Sequence, residues 1–413
     1  LKGLSYAFPL PKDSFESSNS EKNIKKFFGD SAHQTDFSRA QFSAINGILN
    51  YLNQTQISEK PFLLPPVLID KKRILEIDPA TRRSLEITTT LSGEKKGCLL
   101  DAIDKTKTAI GARLLANRIA SPLAVKPEIE ERLELVSWFL SQNIIKTEIG
   151  ELLKGLPDFE RSLTRLSVGR GGPRDLFSLA TAIEKVKQIS GLIEKAVSLS
   201  SSKLLADISR VISNPYALSI KIKDALAENL PLLAKEGQFI RAGFDTQLDS
   251  LRDLRDESRG HIASLQREYS ASTGISSLKV KHNNVVGYHI EVRSNHAKKL
   301  MSEEHFIHRQ TTAQAVRFTT TALGELERKL ATAANRAIAI EVSLFDSLVE
   351  QTLQCQRFIA NCASIIAQID VAISTALLAE QHHYVRPNIT NDTRFLVESG
   401  RHPVVEIFSG KDT

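Results

Sequence analysis

The sequence is poor in cysteine. Its three thiols, Cys98, Cys355 and Cys362, form no CxxC pair and no metal-ligand spacing. This argues against a disulfide framework or a zinc module and leaves buried, reduced thiols, as in a cytoplasmic protein. His305 and His308 lie three apart beside Glu303 and Glu304, but HExxH is missing and no further ligand stands at metal-site spacing. His382 and His383 would point to different faces of a helix. No metal site is expected. No Ser/His/Asp or Cys/His arrangement stands out, and the carboxylates scatter along helical patterns, where solvation and i,i+4 pairing account for them. Residues 169–173 (GRGGP) lack the Gly-Lys-Ser/Thr ending of a phosphate loop and read as a turn between helices. No apolar run reaches the ~18 residues of a transmembrane helix, and no charged region with an apolar core opens the chain. No membrane partner is expected. No period of 20–50 residues recurs, which excludes a solenoid. The chain begins with Leu and its only Met is Met301, so we expect it to be an internal part of a longer gene product.

What remains is an ordinary globular composition: 413 residues, 41% hydrophobic, 25% charged, net charge +6. That length suits two to four domains. The charge is a mild bias towards polyanions, and it is concentrated. Residues 278–317 hold seven Lys/Arg (279, 281, 293, 298, 299, 309, 317) against three Glu (291, 303, 304), and five of the ten His.

The same stretch is the clearest β pattern in the chain. Leu278 and Val280 alternate with Lys279 and Lys281. Val286, Tyr288, Ile290 and Val292 alternate with Gly287, His289 and Glu291. Period-two alternation around Asn283-Asn284 predicts a hairpin, with Asn supplying the positive φ of a tight turn. Helical patterns flank it. Asp245 would cap a helix with Leu248, Leu251, Leu254, Ile262, Leu265 and Tyr269 at helical spacing. After the β stretch, residues 325–380 contain neither Gly nor Pro and predict a long returning helix. The expectation is a helical stalk ending in a small basic β unit. Lys279, Lys281, Asn283, Asn284, Arg309 and Arg317 are its candidate phosphate-binding residues: cations for charge, amides for positioning. Few aromatics accompany them, so base stacking is not expected.

Elsewhere the chain reads mainly as helix. Residues 41–52 predict a helix facing inward with Phe42, Ile45, Ile48 and Leu52. Residues 58–72 carry three prolines and read as a linker. Asp78-Pro79 opens a helical body. A helix over 99–119 is interrupted at Gly111, a mark of close helix contact. Residues 128–140 face inward with Ile129, Leu133, Val136 and Leu140, and Trp138 is placed in the core. Helices follow from Asp158 and from Pro173, with breaks at 198–202 and 214–215. Residues 401–407 read as a strand.

Several runs resemble the MutS family of DNA mismatch repair proteins: Asp78 to Ile87, Leu100 to Thr106, Gly111 to Leu115, Pro122-Leu123, Pro173 to Leu176, Leu278 to Val280 with Gly287-Tyr288, Arg309 to Thr311, and Gly400 to Glu406. Ile110 and Arg118 stand where that family often has Met and Trp, which we read as packing changes. The resemblance implies a mainly α fold, a long-helix lever domain with a small β-rich clamp inserted at the end of an antiparallel helical stalk. The implied parts are the end of a connector domain (1–57), the lever (58–255 and 322–390), the clamp (256–321) and the start of an ATPase domain (391–413). By position, Asn283 and Gln314 fall where family members place polar contacts to the DNA backbone, although Asn is more usual than Gln at the latter. It further implies non-specific gripping of double-stranded DNA, a homodimer, mismatch repair partner proteins, a cytoplasmic, nucleoid-associated location, and ATP with Mg for the full-length protein. The Phe-x-Glu mismatch-reading motif and the Walker A loop are not within these residues. Neither mismatch recognition nor ATP hydrolysis is therefore expected of them, and no cofactor. The alternative from the residues alone is a non-catalytic helical scaffold or protein-interaction rod with an incidental basic tip.

Overall fold

The computed structural model describes residues 10–18, 20–28, 37–55, 63–68, 70–196, 216–283 and 285–408. It is mainly helical, with one small antiparallel sheet. In chain order the helices are α1 (Ser20–Phe28), α2 (Arg39–Thr55), α3 (Pro79–Ser84), α4 (Leu99–Ile103), α5 (Ala109–Ala120), α6 (Lys126–Ser141), α7 (Asn143–Leu153), α8 (Phe159–Ser167) and α9 (Pro173–Ala196). A helix over 216–225, α10, follows. Then come α11 (Thr246–Thr273), α12 (Ala297–Met301), α13 (Thr321–Gln354), α14 (Gln356–His382) and α15 (Pro403–Phe408). Strands β1 (Lys279–Asn283), β2 (Gly287–Arg293), β3 (Ile307–Thr311) and β4 (Ala315–Thr319) lie between α11 and α13. The chain forms two compact units, one of residues 1–223 with 349–413 and one of residues 224–348.

The first unit is built on α14. Ile359, Ile366, Ile369, Ile373 and Ala376 are buried, as are Cys362 and Ala372. A helix apolar on all sides must be covered on all sides, and α5, α6, α7, α8 and α9 all pack on it. Burying each isoleucine contributes about 1.5–3 kcal/mol. This helix is long and apolar enough to cross a membrane by length and composition, and 72% of its most apolar window is buried within the protein. No such run was expected from the sequence, because a scattering of polar residues, Asp370 among them, breaks it.

Asp370 explains Gly111. The carboxylate is buried and accepts from Lys107 N (3.0 Å), Thr108 N (2.9 Å) and Thr108 Oγ1 (2.6 Å). Thr108 in turn caps α5 by accepting from Gly111 N. The acid thus serves the N-terminus of α5, where the helix dipole favours negative charge. A Cβ on Gly111 would lie 2.1 Å from Asp370 Oδ2. The expected close contact is there, but the helix break is not at Gly111: it falls between Ile103 and Ala109, where residues 104–108 turn to meet α14.

Other expectations shift. Asp78 caps α3, accepting from Ala80 and Thr81, with Pro79 at the first helical position, as predicted. Gly169–Pro173 is the predicted turn, closed by Gly172 N donating to Asp175 Oδ2 (3.0 Å). On α2, Phe42 and Ile45 face the α1 cluster with Leu49, whereas Ile48 is exposed. On α6 the fully inward residues are Leu135 and Phe139; Leu140 is exposed and Trp138 half-buried. The long helix over 325–380 is two helices, parted at Cys355. Residues 403–408 form α15 instead of a strand. Pro403 suits a first helical turn, and among the described residues no strand pairs with this segment. Ile110 is buried. Arg118, by contrast, is no simple packing change: its Nε is buried with no hydrogen-bond partner among the described residues. The breaks expected at 198–202 and 214–215 lie outside the described residues.

In the second unit α11 and the first part of α13 run antiparallel. Tyr269 meets Thr320 at one end (2.7 Å) and Arg252 meets Glu341 at the other (2.5 Å). Asp245 caps α11 by accepting from Leu248 N, and Gly274 ends it in the left-handed conformation. Phe239 packs edge-on against Phe345.

Candidate nucleic-acid interface

The four strands form an antiparallel sheet in the order β1-β2-β4-β3. One face is core. Val280 pairs with Ile290, Ile290 with Phe318 and Val292 with Val316. These residues join Tyr269, Leu300, Phe306 and Leu323 in one cluster. The sheet is therefore held on the helices through its apolar face, and alternation turns the other residues outward.

The opposite face is charged. Directly across the sheet run Lys279, Glu291, Arg317 and Gln310. By alternation Lys281 and Arg293 share this face. Glu291 is its centre: Oε1 accepts from Lys281 Nζ (2.6 Å) and Oε2 from Arg317 Nε (3.4 Å). Arg317 also donates to Gln310 Oε1 (2.8 Å). The Lys281 hydrogen bond, helped by Arg317, holds Glu291 below the usual carboxylate range against the opposing effect of burial. Lys279 and Arg293 are exposed and have no acidic partner among the described residues. The face therefore carries four cations and one carboxylate.

Beneath this row lies His289, 1% exposed. Its Nδ1 is 2.9 Å from the Gly287 carbonyl and its Nε2 is 3.9 Å from Glu291 Oε2.

The hairpin turns flank the row. Asn283 pairs with Gly287, so the β1–β2 turn is three residues long. Among the described residues of the hairpin the positive φ, +74°, is that of Gly287, just after the turn, and not of Asn283. Asn283 instead folds the turn, its Oδ1 accepting from Val285 N (2.9 Å) and Val286 N (2.8 Å). Asn284 lies outside the described residues. Gly287 is required twice over, because a Cβ there would lie 1.9 Å from Glu327 Oε1. That carboxylate accepts from Tyr288 N (3.1 Å), tying the start of β2 to α13. At the other end, Thr312 closes the β3–β4 turn by exchanging bonds with Ala315 and leaves Gln314 exposed. Asn283 and Gln314 thus occupy opposite ends of the sheet. The six steps from Gly287 to Arg293 put them roughly 20 Å apart. Arg309 is the extra residue of a β-bulge between His308 and Gln310 and is exposed.

The structure thus gathers Lys279, Lys281 and Arg317 on one face, with Asn283 and Gln314 at its ends and Arg309 on an edge strand. Sequence reasoning missed Glu291 and Gln310, which tie the cations together, and Arg293, which completes the row. Period-two alternation could have put Arg293 and Glu291 on the face of His289. Gln310 needed the register.

Residues 80–376 match the family model described as MutS domain III. The chain is 41% identical over 98% of its length to the "DNA mismatch repair protein MutS" of Nitrobacter winogradskyi, of which it covers 46%. It is 40% identical over 96% of its length to the protein of that name from Bartonella tribocorum, of which it covers 44%. The chain spans a little under half the length of these curated relatives. By the matched domain and by this identity along nearly the whole chain, it belongs to the MutS family.

Proposed function

We propose that the chain is the lever and clamp segment of a DNA mismatch repair ATPase, and that the outward face of its sheet grips the backbone of double-stranded DNA. The observation that carries this is the row Lys279, Lys281, Arg293 and Arg317 on one face of a sheet whose other face is sunk into helices. A flat row of cations on a rigid support meets phosphates without reaching base edges, so it positions without reading sequence. Glu291 lowers the affinity of the resting face and spaces Lys281 from Arg317. Asn283 and Gln314 add amide donors at the two ends. The reading extends to the helices: α11 and α13 carry the state of an ATPase domain elsewhere in the full-length protein to the β unit. ATP and Mg, a homodimer, mismatch repair partners and a cytoplasmic, nucleoid-associated place belong to that full-length protein.

The test is duplex binding by fluorescence anisotropy across a salt series. With an effective charge of about three on the face, log Kd rises against log[salt] with a slope of about 2.7. Reversing Lys279 and Lys281 to Glu should abolish binding and leave helicity unchanged. Binding that survives the double reversal would reject the grip and leave a scaffold or interaction rod.

A further inference from the structure

A second set of cations lies in the first unit. Between α5, α6 and α14 is a partly enclosed cavity of about 390 Å³. This is within the range of small-molecule sites. Half of its lining is aliphatic, Leu115 and Val371 included, and the other half is polar, with Arg118 from α5 and Arg132 from α6 set among Arg73, Glu128 and Glu131. Arg118 Nε is buried and makes no hydrogen bond among the described residues. Burial, with the charge of Arg132 nearby, pushes Arg118 down to about 10, so it remains a cation at neutral pH. Arg132 is lowered by burial, against the pull of Glu128 and Glu131. Of those two carboxylates, Glu128 is engaged at the rim by Arg73 (2.7 Å). The cavity is thus lined by Arg73, Arg118 and Arg132 against Glu128 and Glu131, and the charge acting on Arg118 is that of Arg132.

A desolvated cation without a counter-charge is costly in a core. An arginine fork suits the oxygens of a phosphate, which it can bind through two parallel hydrogen bonds. Two guanidiniums favour a doubly charged head over a singly charged one, and the aliphatic half of the lining favours an apolar body. We propose that this cavity binds a small phosphate monoester with an apolar body, its phosphate held by Arg118 and Arg132. The site is independent of the DNA-gripping face.

Phenyl phosphate is the probe, titrated into the 413-residue chain by calorimetry, with phenol, inorganic phosphate and benzoate as comparisons. Phenyl phosphate should bind saturably at one site per chain. Inorganic phosphate and benzoate should bind at least about tenfold more weakly, and phenol not at all. Arg118→Met should weaken phenyl phosphate at least tenfold. Arg118→Trp, the residue the family pattern often carries there, should fill the cavity and abolish binding while keeping the fold, so a misfolded Arg118→Met does not decide the matter. No saturable binding to the parent chain would overturn the proposal. So would equal binding by parent and Arg118→Trp, which would place the ligand elsewhere. Tighter binding of benzoate than of phenyl phosphate would overturn the head-group assignment.

Discussion

Glu291→Gln is the sharpest test of the charged sheet face, because removing an acidic residue here should improve binding to an acid. Gln keeps the shape and one acceptor oxygen, so Lys281 and Arg317 can stay in place. The face changes from four cations and one carboxylate to four cations alone. Each net charge neutralised on duplex DNA contributes about 0.9 to the salt slope. The slope of log Kd on log[salt] should therefore steepen from about 2.7 to about 3.6. The gain at low salt is bounded by what DNA must displace. Lys281 is half-exposed in its pair with Glu291, and such exposed pairs are worth roughly 0.2–1 kcal/mol. Binding should tighten by roughly 1.4- to 5-fold. The assay is anisotropy of a labelled duplex at several KCl concentrations. Weaker binding, or a slope indistinguishable from the parent's, would refute the reasoning and make Glu291 an organiser whose charge the face needs.

Four further outcomes are expected. Gly111→Ala should destabilise the first unit by about 3 kcal/mol in urea melts, since its Cβ meets a carboxylate held by backbone donors and both overpacking and cap loss follow. Gly191→Ala, inside α9 with open space around the new Cβ, should instead stabilise by about 0.5–1 kcal/mol. Arg252→Met should cost about 3 kcal/mol by leaving Glu341, 3% exposed, without its cation; thermal melts of the parent and variant check it. On acidification, the depressed pKa of Glu291 contributes stability that is present above the ordinary carboxylate value of 4.5 and lost as pH falls through its lower folded value. An acid titration of the β unit should show that loss in the parent and not in Glu291→Gln.

What the sequence discloses and what it withholds divide along physical lines. The hairpin was legible because strand alternation is local: Val280, Ile290 and Val292 reach the core as their period demands. Asp78, Asp245 and the Gly169–Pro173 turn were legible because caps and turns are made by neighbours in sequence. The role of Glu291 was hidden because it depends on which residues of three strands lie abreast. The parting of α13 from α14 at Cys355 has no Gly or Pro to announce it. α1 was missed because it begins among polar residues 16–22, and its burial depends on α2. Gly111 was half-read: a close contact was expected, but the partner, Asp370, stands more than 250 residues away in sequence. Arg118 illustrates the same limit, for a substitution that looks mild in a motif places a charge in a cavity.

The central place of α14 has a consequence for how the chain comes into being. The second unit is one continuous stretch, whereas the first is split, its early helices waiting for a segment made after the second unit. At about 5–20 residues per second, α5 leaves the ribosome roughly 13–50 seconds before α14 exists to cover it. During that interval Leu115, Phe139, Phe159 and Ile183, all buried in the finished protein, have no complete core. The inserted β unit can close in the meantime. The nascent first unit is then the stage most exposed to aggregation, and α14, long and apolar, is the helix that ends the exposure.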